Sequence, residues 1–72
     1  MASDDLIEVE GVVTHVWPGG IFEVTAEAGS TIRAHISGRM RQSKIRIVLQ
    51  DRVTVAVTPY DLKKGRIVYR HK

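Results

Sequence analysis

The sequence predicts an all-β domain, and three observations carry that reading. Apolar residues recur with a period of two through most of the chain, β-branched residues dominate those runs, and short clusters rich in Gly, Pro, Asp and Ser separate them. At 72 residues the chain is one small domain with room for a single modest core. It contains no Cys, so neither a disulfide framework nor a thiolate metal site can support that core, and packing alone has to.

The first segment, Leu6 to Val16, is long for a strand. Ile7 and Val9 set one parity, Val12 and Val16 the other, and Gly11 sits where the parity changes. A glycine at a phase change predicts a bulge or sharp bend, so that one strand serves two sheet faces; a strand buried on both sides is the alternative, since Val13 is apolar too. Trp17-Pro18-Gly19-Gly20 then forms a turn. In Ile21–Glu27, Phe22, Val24 and Ala26 share one face, with Glu23 and Thr25 outward. Ala28-Gly29-Ser30 is short enough for a hairpin, and Thr31–Ser37 follows with Ile32, Ala34 and Ile36 inward and Arg33, His35 and Ser37 outward. Gly38-Arg39-Met40-Arg41-Gln42-Ser43 does not alternate, and Ser37 is placed to cap one or two helical turns there. Ile45, Ile47, Val48 and Leu49 return to apolar character. Arg52–Thr58 directs Val53, Val55 and Val57 to one side, with Arg52, Thr54 and Thr58 on the other. Pro59–Gly65 reads as a loop carrying Lys63 and Lys64, and Arg66–Arg70 as the last strand.

Five short strands, a bent first strand and a short helix between the third and fourth describe a five-stranded Greek-key barrel, the OB-fold arrangement. An SH3-like barrel is the runner-up, although it usually lacks a helix at that place. Residues 1–72 are expected to form one domain, with 1–5 and 71–72 as loose ends. The acidic N-terminus MASDDLIEVE is unlike a secretory signal, and no run approaches the ~20 apolar residues that span a bilayer, so a cytoplasmic location and no membrane contact are expected.

The net charge of +3 conceals an uneven distribution. Residues 1–32 hold Asp4, Asp5, Glu8, Glu10, Glu23 and Glu27 and no cation, a net −6; residues 33–72 hold all eleven Lys and Arg against Asp51 and Asp61, a net +9. Such a split points to an anionic partner met by the second part. His15, His35 and His71 have no metal-ligand spacing, Gly19-Gly20 is no phosphate loop, and His35 with Ser37 lacks the orienting acid and oxyanion pocket of a hydrolase. Neither an enzyme nor a cofactor or metal site is therefore expected. Arginine outnumbers lysine seven to four, which suits phosphate and unpaired-base recognition. Aromatics make up only 6%, which favours folded RNA read by charge and shape over a long strand gripped by stacking. Trp17, Tyr60 and Tyr69 can each stack on RNA or cover the barrel, and Met40 can wedge against a base or seat the helix.

The strings Ala34-His35-Ile36-Ser37-Gly38-Arg39-Met40-Arg41, Ile45-Arg46-Ile47, Asp51-Arg52-Val53-Thr54-Val55, Thr58-Pro59-Tyr60-Asp61-Leu62 and Lys64-Gly65-Arg66-Ile67-Val68 closely resemble bacterial translation initiation factor one. The resemblance runs over essentially the whole chain. It implies a monomeric OB-fold that binds the small ribosomal subunit at the aminoacyl-tRNA site. The implied partners are the 16S-type ribosomal RNA of the decoding region, a neighbouring ribosomal protein, and initiation factors two and three, with RNA-chaperone-like behaviour besides. It assigns RNA contact to Arg39, Arg41, Arg46, Lys64, Arg66 and Arg70, with His35, Met40 and the Trp17–Gly20 loop as weaker assignments. Lys44 joins the set because the family's cation near position 42 is displaced here, leaving Gln42 and Lys44. Gln50 replaces a common glycine, so the turn before Asp51 must avoid a positive φ or accept strain. The alternative functions are a cold-shock-like chaperone of single-stranded RNA and a protein-docking barrel that presents its acidic N-terminal surface to a basic partner.

Overall fold

The computed structural model describes residues 6–42 and 45–71. They form β1 (Ile7–Trp17), β2 (Ile21–Ala26), β3 (Thr31–Ile36), the short helix α1 (Gly38–Gln42), β4 (Arg52–Thr58) and β5 (Asp61–Arg70). The strands close into a barrel in the order β1-β2-β3-β5-β4, with β4 returning to β1. Every pairing is antiparallel except β3 with β5. α1 lies in the crossover that this parallel pair requires. This is the five-stranded barrel that the alternation predicts, with its helix where expected.

The core consists of the inward positions: Val13, Phe22, Val24, Ala26, Ile32, Ala34, Val53, Val55, Val57 and Ile67, joined by Met40 from α1 and Ile47 from the following segment. Burying a Val, Ile, Phe or Met side chain contributes ~1.5–3 kcal/mol, so the ten such residues of this core, with two alanines, can hold a chain without staples. Closure of so small a barrel also demands room. A Cβ on Gly65 would lie 2.5 Å from Val55 Cγ1 and 2.9 Å from the Ala56 carbonyl oxygen, and one on Gly11 would lie 2.6 Å from the Thr25 carbonyl oxygen. Both glycines therefore mark close approaches of strands.

Three expectations are corrected. The irregularity in β1 falls between Val13 and His15, not at Gly11. The extra residue, Thr14, turns its hydroxyl onto β2, donating to the Glu23 carbonyl at 3.3 Å and lying 3.2 Å from Thr25 Oγ1. Gly11 instead pairs with both neighbours at once, Ala26 of β2 and Val53 of β4. Consequently Val13 is the buried valine and Val12 stands on the outer side, while Val16, past the irregularity, shares a side with its partner Phe22 yet remains exposed. Second, β4 is buried on both sides, Thr54 and Ala56 included. His71 covers Thr54, its Nε2 lying 2.6 Å from Thr54 Oγ1. Residue 71, expected among the loose ends, is further held by its backbone N–H, which donates to the Arg52 carbonyl at 2.7 Å. Residues 1–5 and 72 lie outside the described residues. Third, β5 begins at Asp61, so Lys63 and Lys64 belong to a strand and not to a loop. The turn is only Pro59-Tyr60, closed where the Asp61 N–H donates to Thr58 Oγ1 at 3.2 Å.

Ser37 caps α1 as expected. Its Oγ accepts from the Met40 N–H at 3.3 Å, and its carbonyl accepts from the Arg41 N–H at 3.0 Å. The Ser37 N–H in turn donates to the Ile67 carbonyl at 3.0 Å, tying the helix start to β5. At the turn before β4, Gln50 takes φ 75°, so the strained alternative is the one realised.

Candidate nucleic-acid interface

Barrel closure brings β5 against β3 and builds an outer face that no stretch of sequence contains. Residues paired side by side across strands point to the same side of the sheet. One rung of such partners runs Trp17, Ile21, His35, Arg66; the next runs His15, Glu23, Arg33, Lys64. All eight face outward, and all but half-buried Glu23 are exposed. Three cations thus stand beside two imidazoles and an indole on one continuous surface. Ile21, Arg33, His35, Lys64 and Arg66 also line a shallow groove whose floor includes Ala56 and Gly65. Gly65 is the inward position between the two cations, and its backbone sits close over Val55 and Val57.

The sequence-assigned residues divide accordingly. His35, Lys64 and Arg66 are brought together on this face. Arg41 on α1 and Arg46 in the segment after it are exposed. Arg39 lies on α1, and Lys44 lies outside the described residues. Met40 is 2% exposed, a core side chain that seats α1, which fits the packing role of the two that the sequence leaves open. Arg70 is half-buried at the far end of β5, where its Nε lies 2.9 Å from Asp51 Oδ2. The contact is an ion pair, and the Nε atom is buried. Much of the Arg70 charge is therefore committed inside the fold.

Asp51 is in turn held below the usual aspartate range. The Val48 N–H, which donates to Oδ2 at 2.9 Å, is the main cause; burial works against it, and the Arg70 charge adds to it. This cluster fixes the turn that leads into β4.

Arg33 and His15 lie on the face without having been assigned to it, and Trp17 joins them from the first loop. The outward alternation of Arg33 with His35 was the available signal. Its partner Lys64 is thirty-one residues away and becomes visible only once β5 is known to start at Asp61. Trp17 leans back over β2: its ring centroid lies 4.2 Å from that of His15, and the Arg33 guanidinium carbon lies 5.8 Å from it. Among the described residues, no group of three or more His, Asp or Glu side chains is placed to hold a metal ion, and no helix is long and apolar enough to cross a membrane.

A closed five-stranded barrel with one helix between its third and fourth strands defines a protein of the OB-fold class. Within that class, the family model for translation initiation factor 1A / IF-1 matches residues 2–72. The chain belongs to that family, and its role is in the initiation of translation. A solved relative is translation initiation factor one from the Wolbachia endosymbiont strain TRS of Brugia malayi. It is 47% identical, has a TM-score of 0.82, and the match covers 97% of this chain and 83% of that one. YjeQ from Thermotoga maritima shares the fold alone, at 24% identity and a TM-score of 0.73; the match covers 92% of this chain and 23% of that protein.

Proposed function

We propose that the protein acts by binding the small ribosomal subunit at the aminoacyl-tRNA decoding site, through the 16S-type ribosomal RNA and a neighbouring ribosomal protein, in concert with initiation factors two and three. It works as a monomer in the cytoplasm, by occupancy and local RNA remodelling without catalysis. The observation that carries this reading is the union of Arg33, Lys64 and Arg66 with His35 on one outer face. Guanidinium and ammonium groups on a rigid sheet hold phosphates in a fixed orientation, and imidazole adds a flat, polar contact. Exposed Arg41 and Arg46 extend the cationic set beyond the barrel wall.

Binding to purified small subunits over a salt series tests the reading, since neutralising several phosphates makes affinity fall steeply with salt. Displacement by tRNA directed to the decoding site is the expected companion result. A salt-indifferent affinity, or a chemical footprint away from the decoding region, would overturn it.

A further inference from the structure

We infer that the start of β1, Ile7–Glu10, is an open sheet edge that takes an extended basic segment of a partner protein as an added strand. The edge carries none of the cations used by the RNA-binding reading above, and its occupant is a polypeptide.

β1 has two neighbours, but not along its whole length. It pairs with β4 from Ile7 to Val12 and with β2 only from Gly11 onward. Among the described residues, Ile7–Glu10 are therefore paired on the β4 side alone. Successive residues of an antiparallel strand turn their N–H and C=O groups to alternate sides, so every second residue here directs them away from β4. The turn between β2 and β3 does not use them, because it closes on itself: the Ala26 N–H donates to the Ser30 carbonyl and the Gly29 N–H to the Ala26 carbonyl, both at 2.8 Å. Beside the edge lies a groove of about 530 Å³, walled on its other sides by Ala28 and Ser30 of that turn and by Leu62 of β5. An unpaired edge beside a groove is the arrangement to which extended peptides add as strands.

The side chains decide which peptide fits. Residues paired across strands share a side of the sheet. Ile7 and Val9 lie on the side of their core partners Val57 and Val55, and Ile32 and Val57 join them in lining the groove. Glu8 and Glu10 lie on the outer side and are exposed, and Glu27 stands exposed across the groove. Among the described residues no Lys or Arg lines it. Arg52, 3.8 Å from Glu27, and His71, 3.9 Å from Glu10, meet these carboxylates at solvent-exposed sites, where such pairs are weak and readily exchanged. An added strand therefore sets basic residues beside Glu8 and Glu10 and apolar ones beside Ile7 and Val9, which calls for a segment alternating Lys or Arg with an apolar residue. The same carboxylates disfavour a second copy of this chain as the occupant. Two β1 edges paired with each other would bring Glu8 and Glu10 of one copy against those of the other, and like charges opposed across strands repel.

The probe is the end-capped peptide Lys-Val-Lys-Val-Lys-Val-Lys, added to the full chain and followed by amide NMR shifts and hydrogen exchange. Saturable shifts and slowed exchange are expected at Ile7–Glu10, with an affinity that falls as salt rises. An isomer with its lysines and valines in two blocks is expected to bind far more weakly. N-methylation separates strand addition from charge attraction: an added strand turns either its valine or its lysine N–H groups toward β1, so methylating one set abolishes binding and methylating the other leaves it. The double variant Glu8→Gln, Glu10→Gln is expected to weaken binding roughly fivefold, the worth of two cross-strand charge pairs, and circular dichroism verifies that it is folded. Absence of shifts at millimolar peptide, equal binding of the block isomer, equal effects of the two methylations, full affinity in the folded double variant, or shifts centred on Arg33, Lys64 and Arg66 would overturn the proposal. Protection of the Ile7–Glu10 amides by an adenylate hexamer and not by the peptide would give the edge to RNA and overturn it as well.

Discussion

The Asp51 carboxylate joins two distant parts of the barrel: Oδ2 accepts from the Val48 N–H at 2.9 Å and lies 2.9 Å from Arg70 Nε near the end of β5. The same residue's backbone carbonyl accepts from the Val13 N–H at 2.9 Å, so β1, the turn before β4 and the end of β5 meet at one acidic residue. Breaking such a cluster from one side leaves the other members under-compensated.

Two substitutions separate the parts of this cluster. Asp51→Asn keeps an acceptor for Val48 and loses the charge facing Arg70, a change expected to cost ~1 kcal/mol because the Arg70 side chain is 33% exposed and screened. Asp51→Ala loses both and should cost ~2–3 kcal/mol. The sign with pH follows from the lowered pKa of Asp51. A carboxylate depressed in the folded state stabilises fully above its unfolded value, ~4, and that contribution fades as pH falls through the folded value. The gap between wild type and Asp51→Asn, measured by urea unfolding, is expected to be constant from pH 7 to about 5 and to shrink below about 4. A gap that widens with acid would contradict the assignment.

Gln50 carries a removable strain. Among the described residues it is the only non-glycine with positive φ, at 75°, and its N–H donates to the Val13 carbonyl at 2.7 Å. Glycine keeps that hydrogen bond and relieves a left-handed penalty of ~1–2 kcal/mol, while adding ~0.5–1 kcal/mol of backbone entropy to the unfolded chain. Gln50→Gly should therefore stabilise by about 0.5–1 kcal/mol, a rise in Tm of a few degrees for a domain of this size. Gln50→Val should destabilise, because branching at Cβ worsens the same clash.

Strands β2, β3 and the inward side of β4 are legible in the sequence because each sends one parity into the barrel. The ends of β1 and β5 are not, and the reasons are physical. Thr14 shifts the register of β1 with a residue that carries no turn signature, and Gly11 advertises a bend while serving a close approach. In β5 the only inward residue before Ile67 is Gly65, placed there because Val55 and Val57 leave no room for a Cβ. A strand whose inward position is glycine and whose outward positions are lysines has the composition of a loop. The candidate face suffers in the same way: His35, Lys64 and Arg66 follow from the family resemblance, but Arg33 beside Lys64 is a parallel pairing, visible only in three dimensions.

Met40 distinguishes a packing role from a binding role. It is 2% exposed in the core cluster, between Arg39 and Arg41 in sequence. Met40→Ala should cost ~2–5 kcal/mol of stability through lost burial and a residual cavity. Met40→Leu, of similar volume, should cost less than ~1.5 kcal/mol. Subunit affinity of the folded fraction is expected to be near wild type for the leucine variant. A large affinity loss at preserved stability would restore the wedge role.

The cationic residues differ in what they already face, and their reversals should differ accordingly. Arg52 lies 3.8 Å from Glu27 at an exposed site, a pair worth little to folding but one that places Arg52 on an acid-bearing side of the barrel. Arg66 faces outward beside His35, and Arg46 is exposed after α1. Reversal to Glu at Arg66 or Arg46 is expected to weaken subunit binding roughly tenfold, the worth of one charge-assisted contact, and to lower the salt slope by about one. Arg52→Glu should change affinity by less than about threefold, because long-range repulsion alone is screened within ~8–10 Å. Titrations at two salt concentrations check this ordering. Equal losses at all three positions would mean that the chain meets its partner through net charge alone, and that the face assembled by the pairing of β3 and β5 has no special part in it.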